Sequence, residues 1–279
     1  MRYLLLFLFI SQVLFAQLDS SPTPSLNLTS HKRKGTIYVM WGYTKCYFGK
    51  SSIHISNHTN HYYPETGRYH EYDFTMYNVT AQDRPDFDKI KDVINVTIPQ
   101  FVGRIGYYFN NKQDLGIEIN YDHAKYVVDD YQRVRVKGEF NNNWVDKDTT
   151  LDPSNFVHFE HTDGANFLLL NGLKRWKVYQ PSTKFNVGLV AKAGAGIVIP
   201  RTDVTIYGTR LNNDWHIAGW IVGVEGGLRM EFLKNGVFEF VGKGVYADYT
   251  KSLVLGKGNG KANHHFIAGQ LTMTLGVKF

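Results

Sequence analysis

The 279-residue chain has one cysteine, Cys46, so no internal disulfide can staple it. The bland role of that thiol, a small apolar residue in a strand, is the expected one. Prolines number 8 against 26 glycines, a balance suited to tightly curved strands. After residue 16 no apolar run reaches the roughly 20 residues that a transmembrane helix needs. Any membrane insertion must therefore be by strands closed into a barrel, which also satisfies every backbone group in lipid. No charge block stands out: the net charge is +6, and its diffuse basicity gives no argument for nucleic acid. No nucleophile elbow, phosphate loop or nucleotide fingerprint occurs, and no repeat of fixed period.

What is present begins with the last stretch, 263–279. Ile267, Gly269, Leu271, Met273, Leu275, Val277 and Phe279 fall on one face, and Ala268, Gln270, Thr272, Thr274, Gly276 and Lys278 on the other. Strands usually run five or six residues, and this alternation is far longer. One uncharged apolar face opposite a small or polar one is what lipid outside and a polar lumen inside require. Aromatics make up 15% of the chain, with 18 Tyr and 18 Phe, enough to furnish interfacial girdles. The mean hydropathy of −0.30 fits, because a barrel hides its apolar half in alternate positions.

Residues 1–16, MRYLLLFLFISQVLFA, carry Arg2 and then an apolar run ending at Ala16 before Gln17, the build of a cleaved signal peptide. No cysteine follows the cut, so a lipoprotein is not expected. The cut would remove one Arg and no acid, taking the net charge from +6 to +5. Residues 17–35 read as a flexible periplasmic lead-in ending near His31, Lys32, Arg33 and Lys34. The remainder, 36–279, is expected to be the barrel.

The first strand starts at Thr36. Short-turn pairs follow at 97–109 with 115–129, 166–180 with 184–200, and 215–232 with 237–255, the last joined through Asn235-Gly236. With the closing strand the count is eight, three short turns alternating with four longer outer loops. If 69–79 also spans, a partner strand is needed and the count becomes ten. Long loops at about 46–96 and 130–165 hold alternating segments, FGKSSIHISNHTNHYY, EYDFTMYNV and RVRVKGEF. The first two are expected to extend the barrel above the membrane as a hairpin, and RVRVKGEF to be another extramembrane strand. The fold expected is all-β, a transmembrane up-and-down antiparallel barrel with long extracellular loops.

The lipid face should include Phe185, Val187, Leu189, Ala191, Val224, Leu228, Met230, Phe238 and Phe240. The same alternation turns Arg104, Glu118, Asp122, Arg175, Lys192, Glu225, Arg229, Glu231, Glu239 and Lys243 inward. An eight-stranded barrel is wide enough only for side chains, so mixed charges there should pair into a plug. The alternative is a narrow ion path. Histidines gather at His54, His58, His61 and His70, at His158 and His161, and at His264 and His265, without thiolates; the expectation is no metal. Asp122 and His123 cannot form a direct dyad, because adjacent strand residues face opposite ways. Ser252 and His264 are the partners that His123 would need from neighbouring strands.

WGYTKCYFGKSSIHI, YDFTMYNVTAQDRP, IPQFVGRIGYYF and YDHAKYVV resemble segments of small uncharacterised outer-membrane barrel proteins of Bacteroidota. The resemblance covers most of the mature chain and implies a barrel fold and an outer-membrane location, with no catalytic residue to carry over. The layout is also similar, in topology alone, to eight-stranded OmpA-type barrels. The terminal Phe279 resembles the closing signal of bacterial outer-membrane strands. The chain is thus expected to be an outer-membrane protein with a structural, accessory or partner-presenting role through its outer loops. No catalytic, cofactor-binding or metal-binding residues are expected. Its expected partners are outer-membrane lipids and lipopolysaccharide, and an outer-membrane protein complex. The competing classes are a lipid A- or phospholipid-modifying enzyme and a narrow channel.

Overall fold

Two-residue alternation decides which side chains face out along most of this chain, and the computed structural model shows what that alternation builds. It describes residues 35–83, 100–109, 113–161, 163–255 and 260–279. The signal peptide and almost all of the lead-in lie outside the described residues. Seventeen strands are described. The first nine are β1 (Thr36–Phe48), β2 (Ser51–Tyr63), β3 (Arg68–Val79), β4 (Ala81–Gln82), β5 (Phe101–Tyr108), β6 (Leu115–His123), β7 (Tyr126–Val128), β8 (Arg133–Phe140) and β9 (Asn143–Thr150). The others are β10 (Val157–His161), β11 (Phe167–Ser182), β12 (Phe185–Val198), β13 (Asp203–Ile206), β14 (Thr209–Asn212), β15 (Gly219–Phe232), β16 (Gly236–Leu255) and β17 (Gly260–Lys278).

The chain is all-β and every pairing is antiparallel. The circuit β1-β5-β6-β11-β12-β15-β16-β17 closes on itself because β1 also pairs β17, from Tyr38 opposite Lys278 to Phe48 opposite Ala268. Closure removes both sheet edges, the condition for seating strands in lipid.

Outward positions on this circuit are apolar. Leu189, Val224, Leu228 and Phe240 are exposed, and Phe185, Val187, Ala191, Met230 and Phe238 are half-buried, as the alternation requires. Ile105, Ile117, Ile119, Leu271, Met273 and Leu275 complete the band. Aromatic pairs mark its long-loop rim: Phe101 stacks on Trp41 at 4.4 Å and on His123 at 4.8 Å, and Trp220 and His265 flank Tyr246. Each large apolar side chain moved from water to lipid contributes about 1.5–3 kcal/mol. This is the surface of a transmembrane barrel.

At the long-loop end the chain departs from the sequence reading. The second strand of the first pair stops at His123, not at 129. Tyr126, Val127 and Val128 are all buried and join a separate five-stranded sheet, β14-β13-β10-β7-β4. The third pair starts at Gly219 rather than 215, and the closing strand at Gly260 rather than 263. The segment 69–79 lies in β3, which pairs β2 and β8 rather than joining the circuit.

The outer loops are therefore folded sheets. The top of β17, Gly260 to Asn263, pairs β2, so the wall continues sideways as β17-β2-β3-β8-β9. Ile53, Ile55, Phe74, Met76 and Val136 from this wing share one apolar cluster with Val128, Phe159, Val204 and Ile206 of the five-stranded sheet. Phe167, Leu169, Tyr249 and Phe266 of the barrel strands join the same cluster. A closed apolar core thus sits on the barrel's long-loop end.

Candidate functional site

Inward positions hold the chemistry that the sequence singled out. Arg104 on β5 meets Glu225 of β15 at 2.9 Å and Glu239 of β16 at 2.9 Å. Lys192 on β12 lies 2.8 Å from both Glu118 on β6 and Glu239. Arg229 on β15 lies 2.7 Å from Glu239 and 3.3 Å from Glu231. Lys243 on β16 lies 2.6 Å from Asp122 and 3.5 Å from Glu225, and its ammonium also donates to Asn120. Arg175 on β11 pairs Glu231, which further accepts from Asn186 and Lys278. The strands alternate so that each base faces acids on neighbouring or opposite walls.

The ten charged side chains Arg104, Arg175, Lys192, Arg229, Lys243, Glu118, Asp122, Glu225, Glu231 and Glu239 are all buried, five of each sign. Charges taken out of water are costly unless they pair; every one of these lies within 4 Å of an opposite charge, although Glu225 is held by ion pairs without a well-aligned hydrogen bond. All seven residues named for a connected inner network belong to it: Arg104, Glu118, Lys192, Glu225, Arg229, Glu239 and Lys243.

Interleaved with the network, Tyr38, Met40, Tyr108, Leu173 and Val237 form a second apolar cluster, with Met40 opposite Arg104, Leu173 opposite Lys192 and Val237 opposite Glu231. Tyr38 links the two sets: its hydroxyl donates to Glu118 at 2.6 Å, and the Arg229 guanidinium lies 4.3 Å from its ring centre. Gly106 makes room for this ring, since a Cβ there would overlap it. Tyr38 and Asn120 carry no charge, and a reading of charged inward positions passes over both.

Above the network lies a histidine pair. His161 of β10 and His264 of β17 approach Nε2 to Nε2 at 3.0 Å inside a box that includes Tyr126, Tyr249 and Phe266. One ring must donate and the other accept, and burial disfavours a charge on either. His161 sits in the five-stranded sheet, and His264 lies above the rim at Trp220 and His265. Burial pushes His161 well below the usual imidazole range, and holds His264 at about 3. The sequence places His161 in the second long loop and His264 beside the closing strand. Only a pairing over more than a hundred residues brings them together.

His123 has neither partner proposed for it. Its Nδ1 lies 2.8 Å from Asn166 Oδ1, its ring stacks on Phe101, and Asp122 turns inward to Lys243. His264 is committed to His161, and Ser252 is buried opposite Ala262. His158, in the second loop, bonds Asp130 at 2.6 Å and lies 3.5 Å from Glu160, and these carboxylates raise its pKa, Glu160 foremost. Among the described residues no group of three or more His, Cys, Asp and Glu is arranged to hold a metal.

No protein-family model matches the chain, and no curated protein sequence does. Solved structures of similar outline are all of low identity. The outer-membrane protein OprG of Pseudomonas aeruginosa is 12% identical, with a TM-score of 0.41, over 88% of this chain and 97% of its own. The outer-membrane protease OmpT of Escherichia coli is 11% identical, with a TM-score of 0.36, over 93% and 100%. Neisserial surface protein A is 12% identical, with a TM-score of 0.33, over 88% and 97%. At such values these are similarities of outline alone, and no residue role passes from them to this chain.

Proposed function

We propose that this chain is an outer-membrane protein that displays a folded β-structure outside the cell and performs no catalysis. One observation carries the reading: the interior is packed along its length while the long-loop end carries its own core. A balanced ion-pair network interleaved with an apolar cluster fills the barrel, and an aromatic-histidine core lies beyond it at the long-loop end. That filling supports a closed wall rather than a channel. The apolar band contacts outer-membrane lipids, the basic sequence suits lipopolysaccharide, and the displayed sheets are the surface for an outer-membrane or extracellular partner. Nucleic acid is not a partner.

Two measurements test this. A membrane-impermeant maleimide applied to intact cells should label a Trp144→Cys variant on β9; labelling only after lysis would overturn display. Cys46 is buried and should stay silent. Mass spectrometry of lipid A with and without the gene should give the same acyl count, and a changed count would establish the enzyme reading instead.

A further inference from the structure

The solvent-facing side of the β2-β3-β8-β9 wing holds a concavity that none of the readings above uses. Inward residues of the wing, such as Tyr72, Phe74 and Val136, belong to the buried core, so the alternate residues face out. Register sets Asp73 opposite Glu139, and Glu139 opposite Trp144, in one row across three strands. The next row sets Thr75 opposite Lys137. Between these rows and the β8–β9 turn lies a cleft of about 450 Å³.

Trp144 is 62% exposed at the edge strand, outside the barrel circuit and beside Asp146 and Asp148 on the same strand. Those neighbouring charges are incompatible with an anchor sunk in lipid. A single exposed aromatic needs no explanation by itself; Trp144 differs from Tyr131 in lining a cleft. Asp73 is held between His54 at 3.5 Å and His58 at 3.4 Å, so its carboxylate is oriented before any ligand arrives. Asn141 is locked in the same way, accepting from Glu71 N and bonding His70, and Asn142 follows it with a left-handed φ of 64°. Gly138 between the rows has φ of 150°, and a Cβ there would strike the Asp73 carbonyl and Phe74. Glycine thus lets β8 approach β3 closely under the cleft.

An aromatic plate flanked by carboxylates and amides, two of them (Asp73 and Asn141) already oriented, is the chemistry that holds a sugar. The indole face takes the C–H side of a pyranose, and vicinal hydroxyls donate to carboxylates and accept from amides. The acids Glu71, Asp73 and Glu139 outnumber Lys137 in the lining, which disfavours sulfated or phosphorylated sugars. We propose that this cleft binds a neutral pyranose, seated on Trp144 and hydrogen-bonded by Asp73, Glu139 and the Asn141–Asn142 turn. The proposal rests on the display reading and supplies its ligand class.

The test uses the full-length protein in detergent micelles. Neutral, N-acetylated and sulfated oligosaccharides are immobilised on one array, and smooth and rough lipopolysaccharide on a second. The wild type should retain neutral or N-acetylated chains, and Trp144→Ala should weaken that at least tenfold. Tyr131→Ala, a change at an exposed aromatic outside the cleft, should bind as the wild type does. Retention of smooth but not rough lipopolysaccharide would assign the sugar to its outer chain; retention of free oligosaccharides alone would assign a foreign glycan. Binding of sulfated chains only, no binding, or equal binding by Trp144→Ala would each overturn the proposal. Maleimide labelling of intact cells separates the two readings: surface labelling without sugar binding sinks the cleft alone, and no surface labelling sinks display.

Discussion

Glu239 is shared by three bases inside the barrel. It is 0% exposed, and its two oxygens lie within 2.9 Å of Arg104, Lys192 and Arg229. Replacing it with alanine leaves Arg104, Arg175, Lys192, Arg229 and Lys243 facing Glu118, Asp122, Glu225 and Glu231. One positive charge is then uncompensated inside a wall that water does not reach. Breaking a buried pair in this way costs about 3–5 kcal/mol. With a urea slope of about 3 kcal/mol/M, the unfolding midpoint should fall by about 1–1.7 M. Glu239→Gln keeps the shape and some hydrogen bonds, so it should fall less than the alanine variant but below the wild type. Urea titration followed by tryptophan fluorescence, beside mobility on unboiled gels, measures both. If Glu239→Ala unfolds at the wild-type midpoint and instead loses conductance or lipid processing, the plug account fails and the lumen is a working site.

Glu225→Ala should destabilise by a similar amount, about 3–5 kcal/mol, since Arg104, Lys192 and Lys243 all face it; the same titration reads it. Arginine at Leu189 or Val224 should cost about 2–4 kcal/mol if the site lies near mid-membrane, read as failure to fold into vesicles. Tyr38→Phe removes the donor to Glu118 while keeping the ring under Arg229, and should cost about 1.5–3 kcal/mol in the urea midpoint. The neutral His161–His264 pair gives a pH dependence of definite sign. Their folded pKa values lie below that of free imidazole, so the unfolded form takes up protons first as pH falls. Stability of the extramembrane core is full above about pH 6.5 and is lost below it, by up to about 1.4 kcal/mol per pH unit for each histidine. The loss continues until His264 protonates at about 3. Hydrogen-exchange protection in β10, corrected for the intrinsic amide rate at each pH, should therefore fall between about pH 6.5 and 4, and His264→Phe should flatten that response.

The barrel was legible because its rule is local. Period-two alternation separates Leu189 from Lys192 and Val224 from Glu225 without knowledge of any neighbour, and the narrow interior then forces the inward charges to pair. Of the sheets at the long-loop end, the β2–β3 hairpin was legible from FGKSSIHISNHTNHYY and EYDFTMYNV, and the remaining strands only singly. RVRVKGEF and EYDFTMYNV read correctly as β8 and β3, but their pairing across some sixty residues is fixed by packing rather than pattern. Tyr126, Val127 and Val128 are buried together, give no alternation, and were absorbed into the strand before them. The short strands β4, β10, β13 and β14 are ordered by the shared core more than by their own sequences. The cleft at Trp144 needs four such strands in register, and no single stretch of sequence announces it.

Steady conductance across a planar lipid bilayer tests the central claim, an interior closed along its length by packed and paired side chains. The purified, folded protein should give no stable current steps under either polarity. Reproducible ohmic steps from the folded, heat-modifiable form would show an open path through the network of Arg104, Lys192 and Glu239, and would contradict the account.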